Sequence, residues 1–125
     1  MTQLTEHFNY DEKWVRCPCC NRIKIIPVFF LHMELLEKLR VKFGKPITIT
    51  SGYRCPEHNK EVGGAPNSWH LLFATDITPT FIVADGDLRI LYDMAQEVGF
   101  TGIGRYTDKN IIHLDMRPVP VQWVA

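Results

Sequence analysis

Apolar residues recur at helical spacing near the start of the chain. From Val28 to Phe43 they lie three or four positions apart with charged residues between them, which predicts an amphipathic helix. Gly44 and Pro46 are expected to end that helix. A second, short helix is predicted from Pro56 to Val62, because proline suits the first position of a helix.

A third apolar stripe at helical spacing runs from Leu88 to Val98. We expect Asp85 or Asp87 to cap its beginning, since a carboxylate can accept hydrogen bonds from the free N–H groups of the first turn. Gly99 follows the last apolar position and is expected to end the helix.

Four short segments have the β-branched content or the alternation typical of strands. They are residues 47–50, 74–78, 102–106 and 111–116. Residues 107–110 separate the last two and predict a hairpin turn. This order predicts one α+β domain over residues 1–125, in which a small, mostly antiparallel sheet packs against helices.

The charge balance and the hydrophobic content limit the classes of partner. The chain has 125 residues, 14 Lys and Arg against 14 Asp and Glu, and 46% hydrophobic residues. These values exclude a strongly basic nucleic-acid binder, an acidic tail protein and a disordered polar chain. We therefore expect a folded chain that uses neither nucleic acid nor a membrane as partner. The sequence does not give the oligomeric state, for which a monomer is the expectation.

The first ten residues contain Glu6 and His7 and lack the basic stretch and apolar run of a signal peptide. No segment approaches the ~20 apolar residues of a membrane span. We expect synthesis in the cytoplasm, where cysteines tend to stay reduced. The four cysteines are therefore predicted to be free thiols or metal ligands before disulfides.

Two histidines and one aspartate are the residues most suggestive of chemistry: His70, Asp76 and His113. Three protein ligands from different segments, with a fourth position left for water, are what a catalytic zinc ion requires. Each residue also has an ordinary interpretation. His70 fits a loop histidine, Asp76 fits the partner of a basic side chain, and His113 fits a strand residue that faces solvent.

The segment from Ser51 to His70 reads SGYRCPEHNKEVGGAPNSWH. Its motifs are Ser-Gly-x-Arg and Gly-Gly-x-x-x-Ser-x-His, and they are followed by Asp76 on a predicted strand and by His-x-Asp at residues 113–115. Over about residues 4 to 118 the chain resembles the zinc D-alanyl-D-alanine carboxypeptidase family of peptidoglycan peptidases. Relatives of that family include phage endolysins, cell-wall endopeptidases and the zinc-binding fold of hedgehog domains.

This resemblance implies a hedgehog/DD-peptidase-like fold and zinc ligation by His70, Asp76 and His113. It also implies that Arg54 binds the substrate carbonyl or carboxylate and the developing oxyanion, which a guanidinium can do through paired hydrogen bonds. The alternative for Arg54 is a structural salt bridge. We expect Ser68 to support substrate binding by ordering its loop through a hydrogen bond to a site group.

The catalytic base has two candidates. Asp115 lies two residues after His113 on the same strand face, so it is placed either to act as the base or to orient a ligand imidazole. Asp108, in the preceding turn, is the alternative base.

One departure from the family bears on the metal. The family's usual pattern is His-x-x-Gly-x-Ala-x-Asp, whereas only five residues and no glycine separate His70 from Asp76. A deletion inside the strand would turn Asp76 to the other face of the sheet, whereas a deletion in the preceding turn would be absorbed.

A second metal site is suggested by three cysteines and a histidine. Cys17, Cys20, Cys55 and His58 supply two pairs at equal separation, which suits structural zinc if the two segments pack together. The alternatives are a disulfide from Cys17 or Cys20 to Cys55, and packed free thiols.

With the candidate zinc ligands, the family resemblance implies a zinc peptidase that hydrolyses amide bonds next to D-amino acids in peptidoglycan stem peptides. A single-domain phage lysis protein that reaches the cell wall after release fits this interpretation. The alternative is a non-catalytic virion or assembly module that keeps the fold. A third interpretation, in which the histidines are merely structural, predicts no bound metal.

Overall fold

A computed structural model of the chain describes residues 4–9, 12–22, 26–81 and 86–125. The helices are α1 (Pro27–Phe43), α2 (Pro56–Glu61) and α3 (Asp87–Val98). The strands are β1 (Ile47–Ser51), β2 (Thr75–Pro79), β3 (Gly102–Tyr106), β4 (Ile111–Asp115) and β5 (Val121–Val124). Short 3-10 turns occupy Lys13–Val15 and Trp69–Leu71.

Helix α1 matches the predicted stripe and begins at Pro27, one residue earlier than expected. Gly44 adopts the left-handed conformation (φ 74°) and its N–H binds the Arg40 carbonyl, which closes the helix as predicted. The apolar face of α1 lies in the core beside α3. Its buried members are Phe29, His32, Met33, Leu36, Leu39 and Phe43.

Helix α3 begins one residue earlier than predicted and ends at Val98 as predicted, but the predicted cap at Asp87 is wrong. Gly86 occupies the cap position without a side-chain hydrogen bond, and Asp87 is the first helical residue. The Asp87 carboxylate is buried and lies 3.4 Å from the Lys45 Nζ atom. It therefore pairs with a lysine from the α1–β1 connection, while Asp85 lies outside the described residues.

The five strands form one sheet in the order β1-β2-β4-β3-β5. All neighbouring pairs are antiparallel except β3 and β5, which run parallel. The predicted α+β class with a mostly antiparallel sheet is confirmed. Strand β5 was not predicted.

Alternation along the central strands separates the core from a second face of the sheet. Ile77 on β2 and Ile112 and Leu114 on β4 are fully buried in the core. Asp76 and His113 lie between these positions and are paired in register, so both project from the opposite face. Among the described residues, no helix is long and apolar enough to cross a membrane.

One core residue of α1 is a histidine. His32 has no exposed surface, and its ring lies edge-on to Phe73 and Phe100 at 4.9 Å. Its Nε2 atom lies 2.8 Å from the Thr75 hydroxyl. Burial, with a smaller contribution from the His113 charge, lowers the pKa of His32 to about 3. The folded protein therefore holds this imidazole neutral.

We predict that His32 makes folding sensitive to mild acid. Between pH 6.5 and 3 the unfolded chain protonates this imidazole and the folded chain does not, so stability falls as the pH falls. The His32→Gln variant keeps an amide that can bond to Thr75 but cannot titrate. In urea unfolding with chelator present, wild type should lose about 1.4 kcal/mol more than the variant per pH unit below about pH 6.

Above pH 7 the two stability curves should run parallel, which provides the internal control. Equal slopes for both proteins between pH 6 and 4 would show that His32 is not held neutral.

Candidate metal centre

Three segments bring His70, Asp76 and His113 together. The 3-10 turn Trp69–Leu71 supplies His70, β2 supplies Asp76 and β4 supplies His113. Each residue offers one ligand atom, and these atoms all lie within 4.8 Å of one another. The residues singled out from the sequence thus form one cluster on the face of the sheet opposite the core.

The Gly52 carbonyl sets the tautomer of His70. Its Nδ1 atom lies 2.7 Å from the Gly52 carbonyl oxygen, which can only accept a hydrogen bond. The proton therefore resides on Nδ1, and the lone pair of Nε2 points towards Asp76 Oδ1 at 3.3 Å. Ser68 begins the turn, and its hydroxyl accepts a hydrogen bond from the His70 N–H. Ser68 thereby orders the loop that presents the imidazole.

In His113 the two ring nitrogens have the opposite roles to those in His70. Its Nδ1 lies 3.0 Å from Asp76 Oδ1, and its Nε2 lies 2.8 Å from Asp115 Oδ2. A proton on Nε2 satisfies the Asp115 carboxylate and leaves the Nδ1 lone pair for a metal. Asp115 therefore lies behind the imidazole, on the side away from Asp76.

The Asp115 carboxylate is fully buried and accepts three hydrogen bonds from Arg117, two residues further along the chain. Arg117 donates to it from Nε at 2.9 Å, from a terminal nitrogen at 2.6 Å and from the backbone at 3.1 Å. The guanidinium lies over the rings of Trp69 and Trp123, at 5.5 and 5.1 Å. Arg117 was missed in the sequence, although the spacing 113, 115, 117 was the available signal.

Two glycines of β3 make room for these groups. Gly102 is paired with Asp115, and a Cβ atom there would overlap the carboxylate. Gly104 lies between His113 and Trp123 in register, and a Cβ atom would overlap the indole. Because neither glycine has a side chain, the sheet leaves space for the Asp115 carboxylate and the Trp123 indole.

The cluster lowers the pKa values of its two carboxylates and raises the pKa of His113. Burial alone would raise the pKa of Asp76, but the neighbouring imidazoles of His113 and His70 outweigh burial and hold that pKa well below the ordinary range. Arg117 and His113 do the same for the pKa of Asp115. Burial lowers the pKa of His113, and its two carboxylate partners raise it above the ordinary value. Both carboxylates are therefore ionised at neutral pH.

The donor set fits zinc. Two imidazole nitrogens and one ionised carboxylate are ligands that zinc prefers, and each ring has a backbone or carboxylate partner that fixes its tautomer. The remaining side of the cluster opens into a cavity of about 630 Å³. The three ligand atoms are therefore approachable from this cavity.

The shortened segment between His70 and Asp76 is accommodated in the turn. Strand β2 starts at Thr75, and Asp76 keeps its place on the site face opposite His113. Residues 71–74 include none of the positive-φ residues of the described chain, so no glycine is required there. The deletion does not turn the aspartate away.

Arg54 lies on the wall of the same cavity. Its terminal nitrogen donates to the Ser68 hydroxyl at 3.2 Å, and its buried Nε has no partner. Burial lowers the pKa of Arg54, and the nearby Asp76 charge raises it. Within the described residues Arg54 forms no ion pair with a carboxylate, so the structural salt bridge considered for it is not formed there.

The other candidates are distributed unevenly. Asp108 lies in the β3–β4 turn and is not part of the cavity wall, whereas Tyr106 and Lys109 are. Asp76 is the one acidic side chain among the described residues that line this cavity.

Elsewhere, Cys17, Cys20 and Cys55 lie together as expected, but the fourth member of that group is Cys19 and not His58.

Comparison with known proteins identifies a family. A family model described as Peptidase M15 matches residues 6–115, most of the chain. The match confirms the resemblance drawn from the motifs. No curated protein sequence matches the chain.

We predict that Asp115→Asn weakens zinc binding by about 10- to 100-fold. An amide at this position can donate to His113 Nε2, which would move the imidazole proton to Nδ1 and block the lone pair that faces Asp76. Competition with a chromogenic chelator measures the affinity. Asp93→Asn, which alters an exposed pair with Arg89 on α3, is the matched control and should bind like wild type. Equal affinities for the two variants would contradict the orienting role.

Proposed function

The chain belongs to the peptidase M15 family, whose members are zinc-dependent, and from that premise we propose that it hydrolyses amide bonds next to D-amino acids in peptidoglycan stem peptides. The observation that carries this proposal is the group of His70, Asp76 and His113, with both tautomers fixed, at an open cavity beside Arg54. We propose zinc as the cofactor and the stem peptide as the partner.

The proposed metal ligands divide the work of holding the ion. His70 Nε2, an Asp76 oxygen and His113 Nδ1 are the donor atoms, while the Gly52 carbonyl and Asp115 hold the two rings in place. Zinc bound there would supply an acidified water and would polarise the scissile carbonyl. The protein contributes rigidity, because β2 and β4 are paired strands of the central sheet.

Arg54 is the proposed substrate-binding and oxyanion-stabilising residue. The Ser68 hydroxyl holds one of its terminal nitrogens, Arg54 lines the cavity, and no carboxylate of the described residues forms an ion pair with it. A guanidinium in this state is ready to bind a carboxylate of the peptide or the oxygen that gains charge in the transition state.

Asp115 is proposed as a positioning residue and not as the base. Its oxygens already accept hydrogen bonds from His113 and Arg117, and its side chain has no exposed surface. The Tyr106 hydroxyl accepts a hydrogen bond from the Trp123 indole at 2.8 Å and keeps its own proton available. Because Tyr106 lines the cavity, we propose that it donates to a substrate oxygen.

A second function is favoured by the shortage of acids in this cavity. Apart from the proposed ligand Asp76, the described lining offers no carboxylate to take a proton from water. A module that binds zinc and wall peptide without turnover, as in a virion or assembly protein, would have this character. The two proposals differ in product formation and not in metal binding.

We predict that the zinc-loaded protein releases new amino and carboxyl termini from purified muropeptides. His70→Ala should abolish product because it removes a ligand, and His7→Ala, which changes an exposed histidine near Glu37, should retain it. Mass spectrometry of the products identifies the bond and separates terminal from internal cleavage. Intact muropeptides with about one zinc bound at the His70 cluster would overturn the peptidase proposal in favour of the binding module.

We also predict a large effect at Arg54. Arg54→Gln should lower kcat/KM by about 100-fold, as expected for loss of an oxyanion donor. Arg54→Lys should recover little, because an ammonium cannot reproduce the paired hydrogen bonds of the guanidinium. Arg89→Gln, on the exposed face of α3, is the control. Full activity in Arg54→Gln would remove this residue from the mechanism.

A further inference from the structure

A second cluster of ligand atoms lies away from the His70 site, where the N-terminal segment meets the start of α2. The sulfur atoms of Cys17, Cys19, Cys20 and Cys55 all lie within 4.8 Å of one another. Cys17 and Cys55 are buried, Cys19 and Cys20 are exposed, and all four are free thiols. A group of four cysteine sulfurs this close together is a candidate metal-binding site.

The sulfur–sulfur distances suit a shared metal better than a disulfide. Cys17 and Cys19 are separated by 3.6 Å, and Cys19 and Cys55 by 3.2 Å. A tetrahedral ion with Zn–S bonds of about 2.3 Å places its sulfurs roughly 3.8 Å apart. A disulfide requires about 2.05 Å and joins only two of the four.

The backbone around the cluster donates to sulfur. The Cys55 N–H points at the Cys17 sulfur at 3.3 Å, and the His58 N–H points at the Cys55 sulfur at 3.4 Å. Such hydrogen bonds favour the thiolate, the form that binds metal. Each buried sulfur therefore has one backbone donor that stabilises negative charge on it.

The local turn explains how three cysteines close together in sequence reach one point. The Cys17 N–H binds the Arg22 carbonyl at 2.8 Å, and the Asn21 N–H binds the Cys17 carbonyl at 2.9 Å. Asn21 adopts a left-handed conformation (φ 61°), which closes the loop. The loop brings Cys19 and Cys20 to the same point as Cys17.

We propose that Cys17, Cys19, Cys20 and Cys55 bind a structural zinc ion, separate from the proposed catalytic ion. Four thiolates closed around a tetrahedral ion leave no position for water, so this site has no part in hydrolysis. In this ligand set Cys19 takes the place that was expected for His58 from the sequence. The His58 Nδ1 atom is buried without a hydrogen bond and lies outside the group of four sulfurs.

The ion would tie the N-terminal segment to the chain that carries the active site. Trp14, Val15 and Cys17 are buried in the core, and the Trp14 carbonyl occupies the space where Gly52 lacks a Cβ atom. Cys55 follows Arg54 directly, and Gly52 supplies the carbonyl that orients His70. The zinc would therefore fix the Cys55 end of the segment from Gly52 to Cys55, while the Gly52 end packs against the Trp14 backbone.

The test separates this ion from the catalytic one by removing the other ligands. A His70→Ala/His113→Ala protein, purified from zinc-supplemented cells under reducing conditions, should retain about one zinc by elemental analysis, while wild type holds about two. Adding Cys19→Ser and Cys20→Ser should reduce the double variant to none. Adding His58→Ala instead should leave its zinc in place. None of these measurements depends on peptidase activity.

Cobalt substitution provides a readout that does not require cysteine variants to fold. Cobalt(II) added to the metal-free His70→Ala/His113→Ala protein should give intense near-ultraviolet sulfur-to-cobalt absorption with the tetrahedral visible bands of a four-thiolate site. The proposal is overturned if this protein contains no zinc and shows no such absorption. It is also overturned if a disulfide forms among these cysteines in the reduced preparation, or if His58→Ala removes the metal.

Discussion

The site depends on the pairing of Asp76 with His113 across β2 and β4. Because neighbouring residues of a strand face opposite sides, the burial of Ile77, Ile112 and Leu114 in the core forces these two polar side chains onto the other face. A slip of one residue would place a carboxylate and an imidazole among apolar side chains, at a cost of several kcal/mol. Core packing thus sets the geometry of the proposed metal ligands.

A buried carboxylate behind a ligand histidine is stable only if its charge is compensated. Asp115 obtains that compensation from Arg117, whose guanidinium lies between two tryptophan rings. Trp123 comes from β5, which pairs with β3 beyond the glycines that leave room for the carboxylate and the indole. The last strand therefore completes the support of His113, although it lies outside the residues matched by the family.

The sequence predicted most of the helices and strands because their apolar periodicity is strong, and it indicated which histidines and aspartates come together. It did not predict β5, whose residues are mostly exposed and show no alternation. Spacing also could not choose between Cys19 and His58, since the choice depends on how the Cys17–Arg22 turn closes. Nor could it assign Asp115, because a base and an orienting carboxylate occupy the same sequence position and differ only in their partners.

The short segment from Gly52 to Cys55 connects the two proposed metal sites. Its first residue orients His70 through a carbonyl, its third presents Arg54 to the cavity, and its last supplies a sulfur to the thiolate cluster. A guanidinium that must meet a developing charge gains most when its backbone does not have to be ordered at each turnover. Under the two proposals, a structural ion at one end and a ligand histidine at the other supply that order.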